Sequence, residues 1–252
     1  MNRKLSLQYI VYELKILSAN WYIPFFGIVF PIALTLLLGF SIFSEIPLKY
    51  LPEAKLKLML TNVQIVILSI FLLGHGAIYS LELEKNIPLR LELFGIPKHV
   101  ILQGKIIAQM IFCIIALILY FGLTYLFMGY RLPTLVGSAI VVLLIFILGV
   151  LSLLFAHGIC NAIRKFNATY GVLMALYFST LILSGGMGIR TSEMPQFIQV
   201  ISKMIPFSYI GDDFTSLWLG KSIAWAPFIQ SLIFYGLMGL LIVVLSFQRK
   251  RI

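Results

Sequence analysis

Charge is scarce in this sequence, and negative charge most of all. Nine Asp and Glu stand against nineteen Lys and Arg, and the four types together make up 11% of 252 residues. Soluble domains carry about 25%, so there is too little charge here to coat a water-exposed globule. Cysteine is nearly absent too. Cys113 and Cys160 form no disulfide framework and no metal-ligand spacing, and they read as small apolar packing residues. The three histidines, His75, His99 and His157, have no paired carboxylate in sequence reach. The nucleotide loop G-x-x-x-x-G-K-[ST] is missing, because Gly104-Lys105 is followed by Ile106 and His99 stands where the first glycine belongs. H-E-x-x-H and G-x-S-x-G are missing as well. Asp212 and Asp213 imitate a catalytic pair, but neighbours on a helix point apart, and a helix N-terminus explains them better. These absences exclude ATP binding through that loop, a metal centre and hydrolytic catalysis by a familiar constellation.

What the chain has is hydrophobic length. Six stretches of about 21–23 residues contain no Lys, Arg, Asp or Glu: Trp21–Phe43, Met59–Tyr79, Ile106–Met128, Leu135–Ala156, Asn167–Met187 and Ala226–Phe247. At 1.5 Å per residue each matches the ~30 Å hydrocarbon core of a bilayer, where a helix satisfies its own backbone. Hydrophobic residues reach 61%. The expected fold is therefore an all-α integral membrane protein with six transmembrane helices in one domain, 1–252. The first stretch is too long for a signal segment and lacks a small-residue cleavage site, so it is expected to be retained.

Six spans place both termini on one side. Twelve Lys and Arg fall on that side, among them Arg249, Lys250 and Arg251, against seven on the other, among them Lys49, Lys55 and Lys57. The richer side is expected to be cytoplasmic, and the +10 net charge follows from this bias rather than from nucleic-acid binding. Residues 1–20 read as an amphipathic helix at that interface, with Lys4, Gln8, Lys15 and Ser18 on one face and apolar stripes on the others. In the loop at 80–105, Pro88 and Gly95 bracket a short helix, Pro88–Phe94, with Leu89 and Leu93 on one face and Arg90 and Glu92 beside it: a docking knob for a soluble partner. The outer loop, 188–225, is too apolar for a solvated linker. Phe197, Val200, Ile201, Met204 and Ile205 make a helical stripe ended by Pro206. A second short helix follows Gly211 and stops at Gly220, giving a re-entrant hairpin with Asp212 and Asp213 toward outer water.

Polar residues inside spans usually face a protein interior or a water path. Asn62, Gln64, Asn167 and Thr180 are accordingly the cavity candidates. Gly171, Ala175 and Ser179, at four-residue spacing, form a small-residue face for close helix contact.

In this order the parts resemble the membrane permease of a bacterial type 2 ATP-binding-cassette exporter. The resemblance rests on Glu84-Lys-Asn-Ile-Pro-Leu-Arg-Leu-Glu-Leu-Phe-Gly-Ile-Pro-Lys98 with Gly104-Lys105, on Leu183-Ser-Gly-Gly-Met187, and on Met194-Pro195 through Ile205-Pro-Phe-Ser-Tyr209. It implies that Glu84, Leu89, Arg90, Glu92 and Phe94 lie at the contact with a soluble ATP-binding-cassette ATPase, present in two copies and holding ATP and magnesium. It implies a second permease copy or close paralogue, paired through the fifth and first spans. It implies a bacterial plasma membrane location and a cavity lined by the first, second and fifth spans. The chain itself would be no enzyme and hold no cofactor. Its uncharged interior and 14% aromatic content fit apolar or amphipathic cargo, membrane-active peptides first, hydrophobic drugs and lipids next. A permease-like immunity or signalling subunit is the alternative. An intramembrane enzyme would need paired ionisable residues at one depth, and the spans offer none.

Overall fold

Ser6 opens the fold by accepting the Tyr9 backbone N–H on its hydroxyl, and helix α1 (Leu7–Ala19) follows. The computed structural model describes residues 5–186 and 194–248, and these are helical almost throughout, with no strand among them. Six helices are long and apolar enough to cross a membrane. They are α2 (Tyr22–Ile42), α3 (Leu51–Glu84), α5 (Lys98–Met128), α6 (Leu135–Ile163), α7 (Phe166–Leu183) and α10 (Trp225–Gln248). The short α4 (Ile87–Leu93) joins α3 to α5. Between α7 and α10 lie α8 (Gln196–Lys203), a 3-10 turn (Pro206–Tyr209), a π turn (Ile210–Phe214) and α9 (Thr215–Trp218).

The centre of the bundle is α3. Its most apolar window is 83% buried, whereas those of α2, α7 and α10 are 22%, 28% and 17% buried and leave Leu37, Phe40, Val172, Phe178 and Leu237 exposed. In water such faces would be unstable. In hydrocarbon they cost nothing, which is how one helix can be wrapped while its neighbours stay half bare. Where α3 meets α7, Gly76 makes room for Leu173; a Cβ on the glycine would lie 2.0 Å from the Leu173 Cδ1. A buried polar knot ties α2, α3 and α5. Asn62 donates to the Thr35 hydroxyl at 3.0 Å, Thr35 and Tyr120 share a 3.0 Å bond, and the Tyr120 hydroxyl donates to the Met59 carbonyl at 2.7 Å.

The spans exist where the charge-free stretches put them, but three helices run further. α3 begins at Leu51 and ends at Glu84, 34 residues or about 51 Å. α5 begins at Lys98 and α6 continues to Ile163. For the start of α3 the reason lies in partners on other elements. Lys55 donates to the Met128 carbonyl at 2.7 Å, at the C-terminal end of α5, and Lys57 pairs with Asp212. Charges with partners do not end a helix. Residues 80–105 are mostly helix rather than loop. In 188–225, α8 stops before Pro206, and Gly220, at φ +74°, ends the stretch that carries α9. Met187 and Arg190 lie outside the described residues, as do Lys4, Arg249, Lys250 and Arg251.

Candidate functional site

Three charged side chains from three helices meet at the end of the bundle that carries α1. Lys105 of α5 reaches both Glu13 oxygens, at 3.1 and 3.0 Å, and the Glu82 Oε1 of α3 at 2.7 Å. The side chains are 4%, 4% and 10% exposed. Tyr9, one turn before Glu13, donates its hydroxyl to the Glu13 Oε1 at 2.6 Å. Burial, then the Glu13 carboxylate, hold the Tyr9 hydroxyl well above its ordinary range, so it remains a donor. The approach of α1 depends on Gly104: a Cβ there would fall 2.4 Å from the Tyr9 ring. Two carboxylates and one ammonium leave a formal charge of −1 among buried side chains, so removing Lys105 strands two carboxylates without a cation, whereas removing one glutamate leaves a matched pair.

Neither Glu13 nor Glu82 is among the sequence-derived candidates, and Lys105 figures there only in the missing nucleotide loop and in the segments that carry the family resemblance. A signal was present. Tyr9, Glu13 and Leu17 recur every four residues, so the carboxylate sits in the stripe that packs on the bundle. A charge in a packing stripe calls for a buried partner.

His75 lies two turns before Glu82 on α3 and is completely buried. Its Nε2 is 3.4 Å from the His157 Nδ1 of α6. Tyr79 stacks on His157 with ring centroids 4.6 Å apart and bonds Asn161, whose amide donates to the His157 carbonyl at 2.9 Å. A void of about 10 Å3 touches Glu13, His75, Lys105 and Gln109. His75 thus adjoins the ion cluster, and His157 adjoins His75.

At the same end, α4 lies on the surface of the bundle. No residue of α4 is buried, and Leu89, Leu93 and Phe94 are 55%, 80% and 73% exposed. Asn86 in a left-handed conformation precedes it, and Gly95 at φ +84° follows it. Glu92 bridges to Lys98 at 3.2 Å, and Arg90 is exposed. Glu84, also exposed, makes a bond within the chain. Its Oε2 accepts the Phe166 backbone N–H at 2.7 Å and so caps α7, whose preceding residue, Lys165, provides no side-chain cap.

On α7, Gly171, Ala175 and Ser179 are all exposed and share a face with Phe178 and Ile182. A Cβ at Gly171 would meet nothing within 4 Å. The four cavity candidates do not come together. Asn62 belongs to the polar knot, and Asn167 is exposed at the start of α7. Thr180 borders an apolar cavity of about 150 Å3 with Leu72, Phe155 and Tyr235. Gln64 accepts from the Ser184 hydroxyl at 2.6 Å, and its Nε2 has no partner among the described residues. Its neighbour Ile65 lines a groove of about 160 Å3 between α2, α3 and α7, walled by Phe26, Phe30, Leu34, Tyr177 and Leu181. At the opposite end of the bundle, Asp212 is largely exposed and held by Lys57. Asp213 is half-buried, and burial, then the Asp212 charge, push its carboxyl upward.

No curated protein matches the chain. The family model described as "ABC-2 type transporter" matches residues 8–219, from within α1 to just past α9. The match takes in the ion cluster, α4 and the exposed face of α7. With that match over most of the chain, and six helices long and apolar enough to cross a membrane, five of them within it, the chain belongs to the ABC-2 type transporter family, the multi-pass membrane permease subunits of type 2 ATP-binding-cassette transporters.

Proposed function

We propose that this chain is the permease of an ATP-driven exporter, moving apolar or amphipathic cargo outward across a bacterial plasma membrane by alternating access. Permeases of this family normally work with an ATP-binding subunit. The observation that carries the reading is α4: a short helix with three exposed apolar side chains, joined at once to α3 and α5. Leu89, Arg90 and Phe94 would enter the ATPase, while Glu92 sets the helix's pose through Lys98. Force applied to α4 would pass into α3 and α5, and through the Glu13–Lys105–Glu82 cluster into α1. Two permeases would pair through Gly171, Ala175 and Ser179, and two ATPase subunits would hold ATP and magnesium. Both termini would be cytoplasmic. The engagement of Lys55 and Lys57 supports this, because two of the lysines that vote for the other orientation have structural work of their own. The aromatic and aliphatic groove between α2, α3 and α7 suits apolar cargo, membrane-active peptides first.

The test is reconstitution in liposomes with the ATPase. Replacing Arg90 and Glu92 together by alanine should cut cargo movement about tenfold or more while ATP turnover persists. Purified permease alone should hydrolyse no ATP. Full transport by the double variant, or hydrolysis by the chain alone, overturns the reading.

A further inference from the structure

Between α4, the start of α5 and the end of α6 lies a cavity of about 350 Å3, within the range of about 300–1,000 Å3 of small-molecule sites. Its walls divide by chemistry. Leu83, Leu89, Ile101 and Leu102 are apolar, and Lys98, His99 and Arg164 are basic. Glu92 is its acidic residue, and Lys98 already bridges it. Arg164 has no carboxylate partner among the described residues. The 31-residue α5 opens at this place behind Pro97, which supplies no side-chain cap to its first N–H groups. The two positive features are independent, and both favour an anion beside apolar surface. Basic pockets between spans on the cytoplasmic side suit acidic lipid headgroups.

We infer that this cavity binds the headgroup of an acidic membrane phospholipid, with Arg164 and His99 on the phosphate and Leu83, Ile101 and Leu102 against the start of the acyl chains. The site rests on its geometry; only its assignment to the cytoplasmic leaflet rests on the orientation proposed above. His157 and Asn161 close its inner end and lead through His75 toward the ion cluster, so the lipid would sit against the coupling elements.

The test uses purified full-length permease and phosphatidylglycerol, with phosphatidylcholine as the neutral control, read by native mass spectrometry. The variant is Arg164→Asn with His99→Gln. Asparagine is chosen because Arg164 holds φ +59°, which Asn tolerates. Phosphatidylglycerol binding should weaken about tenfold or more, the scale of a lost charge-assisted hydrogen bond. Lys165→Gln, outside the cavity, should leave binding unchanged. A second variant, Leu102→Trp, fills the cavity from its apolar wall and should reduce binding without touching charge. Equal phosphatidylglycerol binding by wild type, Arg164→Asn/His99→Gln and Leu102→Trp overturns the inference. So does displacement of the lipid by glycerophosphate at equal concentration, which would make the ligand a soluble phosphate ester. Transport is not read in this test, so failure of the exporter reading would leave its outcome standing.

Discussion

Replacing Lys105 by methionine keeps the length of the side chain and removes its charge. Glu13 and Glu82 then face each other without a cation. Both bond the same Nζ, at 3.0 and 2.7 Å, so their oxygens lie within about 6 Å. At an effective dielectric of about 20 the repulsion is about 3 kcal/mol. Breaking a buried ion pair from one side generally costs about 3–5 kcal/mol, because the abandoned charge stays buried. For a chain of this size that is a fall in melting temperature of roughly 6–20 °C. The assay is thermal unfolding in detergent, followed by tryptophan fluorescence. The decisive comparison is Glu13→Gln with Glu82→Gln and Lys105→Met. It contains more substitutions but leaves no charge behind, and it should recover most of the lost stability. A single variant that melts within about 1 °C of wild type, or a triple variant less stable than the single, would refute the claim that electrostatic balance holds α1, α3 and α5 together.

Three further outcomes are expected. Gly171→Leu should leave the monomer folded, since a Cβ there meets nothing within 4 Å, but should shift a paired permease toward monomer in cross-linking or light scattering; an unchanged, active pair points to another face. Glu84→Ala should cost about 1 kcal/mol, the usual worth of a helix cap, and loosen the start of α7; amide exchange at Phe166 and the following residues should rise, and protection equal to wild type would count against the cap. In a chain cleared of Cys113 and Cys160, a cysteine at Asp213 should react with an impermeant thiol reagent from outside intact cells and one at Arg251 should not; the reverse pattern inverts the proposed topology.

The spans were legible because lipid imposes a simple rule: no unpartnered charge for about twenty residues. The rule measures hydrocarbon thickness, not helix length, so it stopped α3 at Tyr79 and missed the last turn that carries Glu82. The α4 knob was legible to within one residue at each end, because Pro88 and Gly95 punctuate it locally. The ion cluster was not legible as a unit. Glu13 and Lys105 are 92 residues apart, and only the packing of α1 on α5 brings them together. Asn62 was a fair cavity candidate by type, yet Thr35 and Tyr120 lie on other helices, and pairing across helices has no local signature. The capping role of Glu84 was not legible, because it depends on α7 starting beside it.

Lys57 and Asp212 are 155 residues apart, which gives their bridge a place in time. A ribosome adding about 5–20 residues per second needs roughly 10–30 s to make that intervening chain. Glu13, Glu82 and Lys105 can meet once residue 105 has been synthesised, but Lys57 waits, solvated, until the short helices before α10 emerge. The end of the bundle bearing α1 can therefore assemble early in translation, whereas the opposite end is latched late. A pause or premature stop before residue 212 would leave a nascent protein with its ion cluster closed and its far rim still open to quality-control proteases.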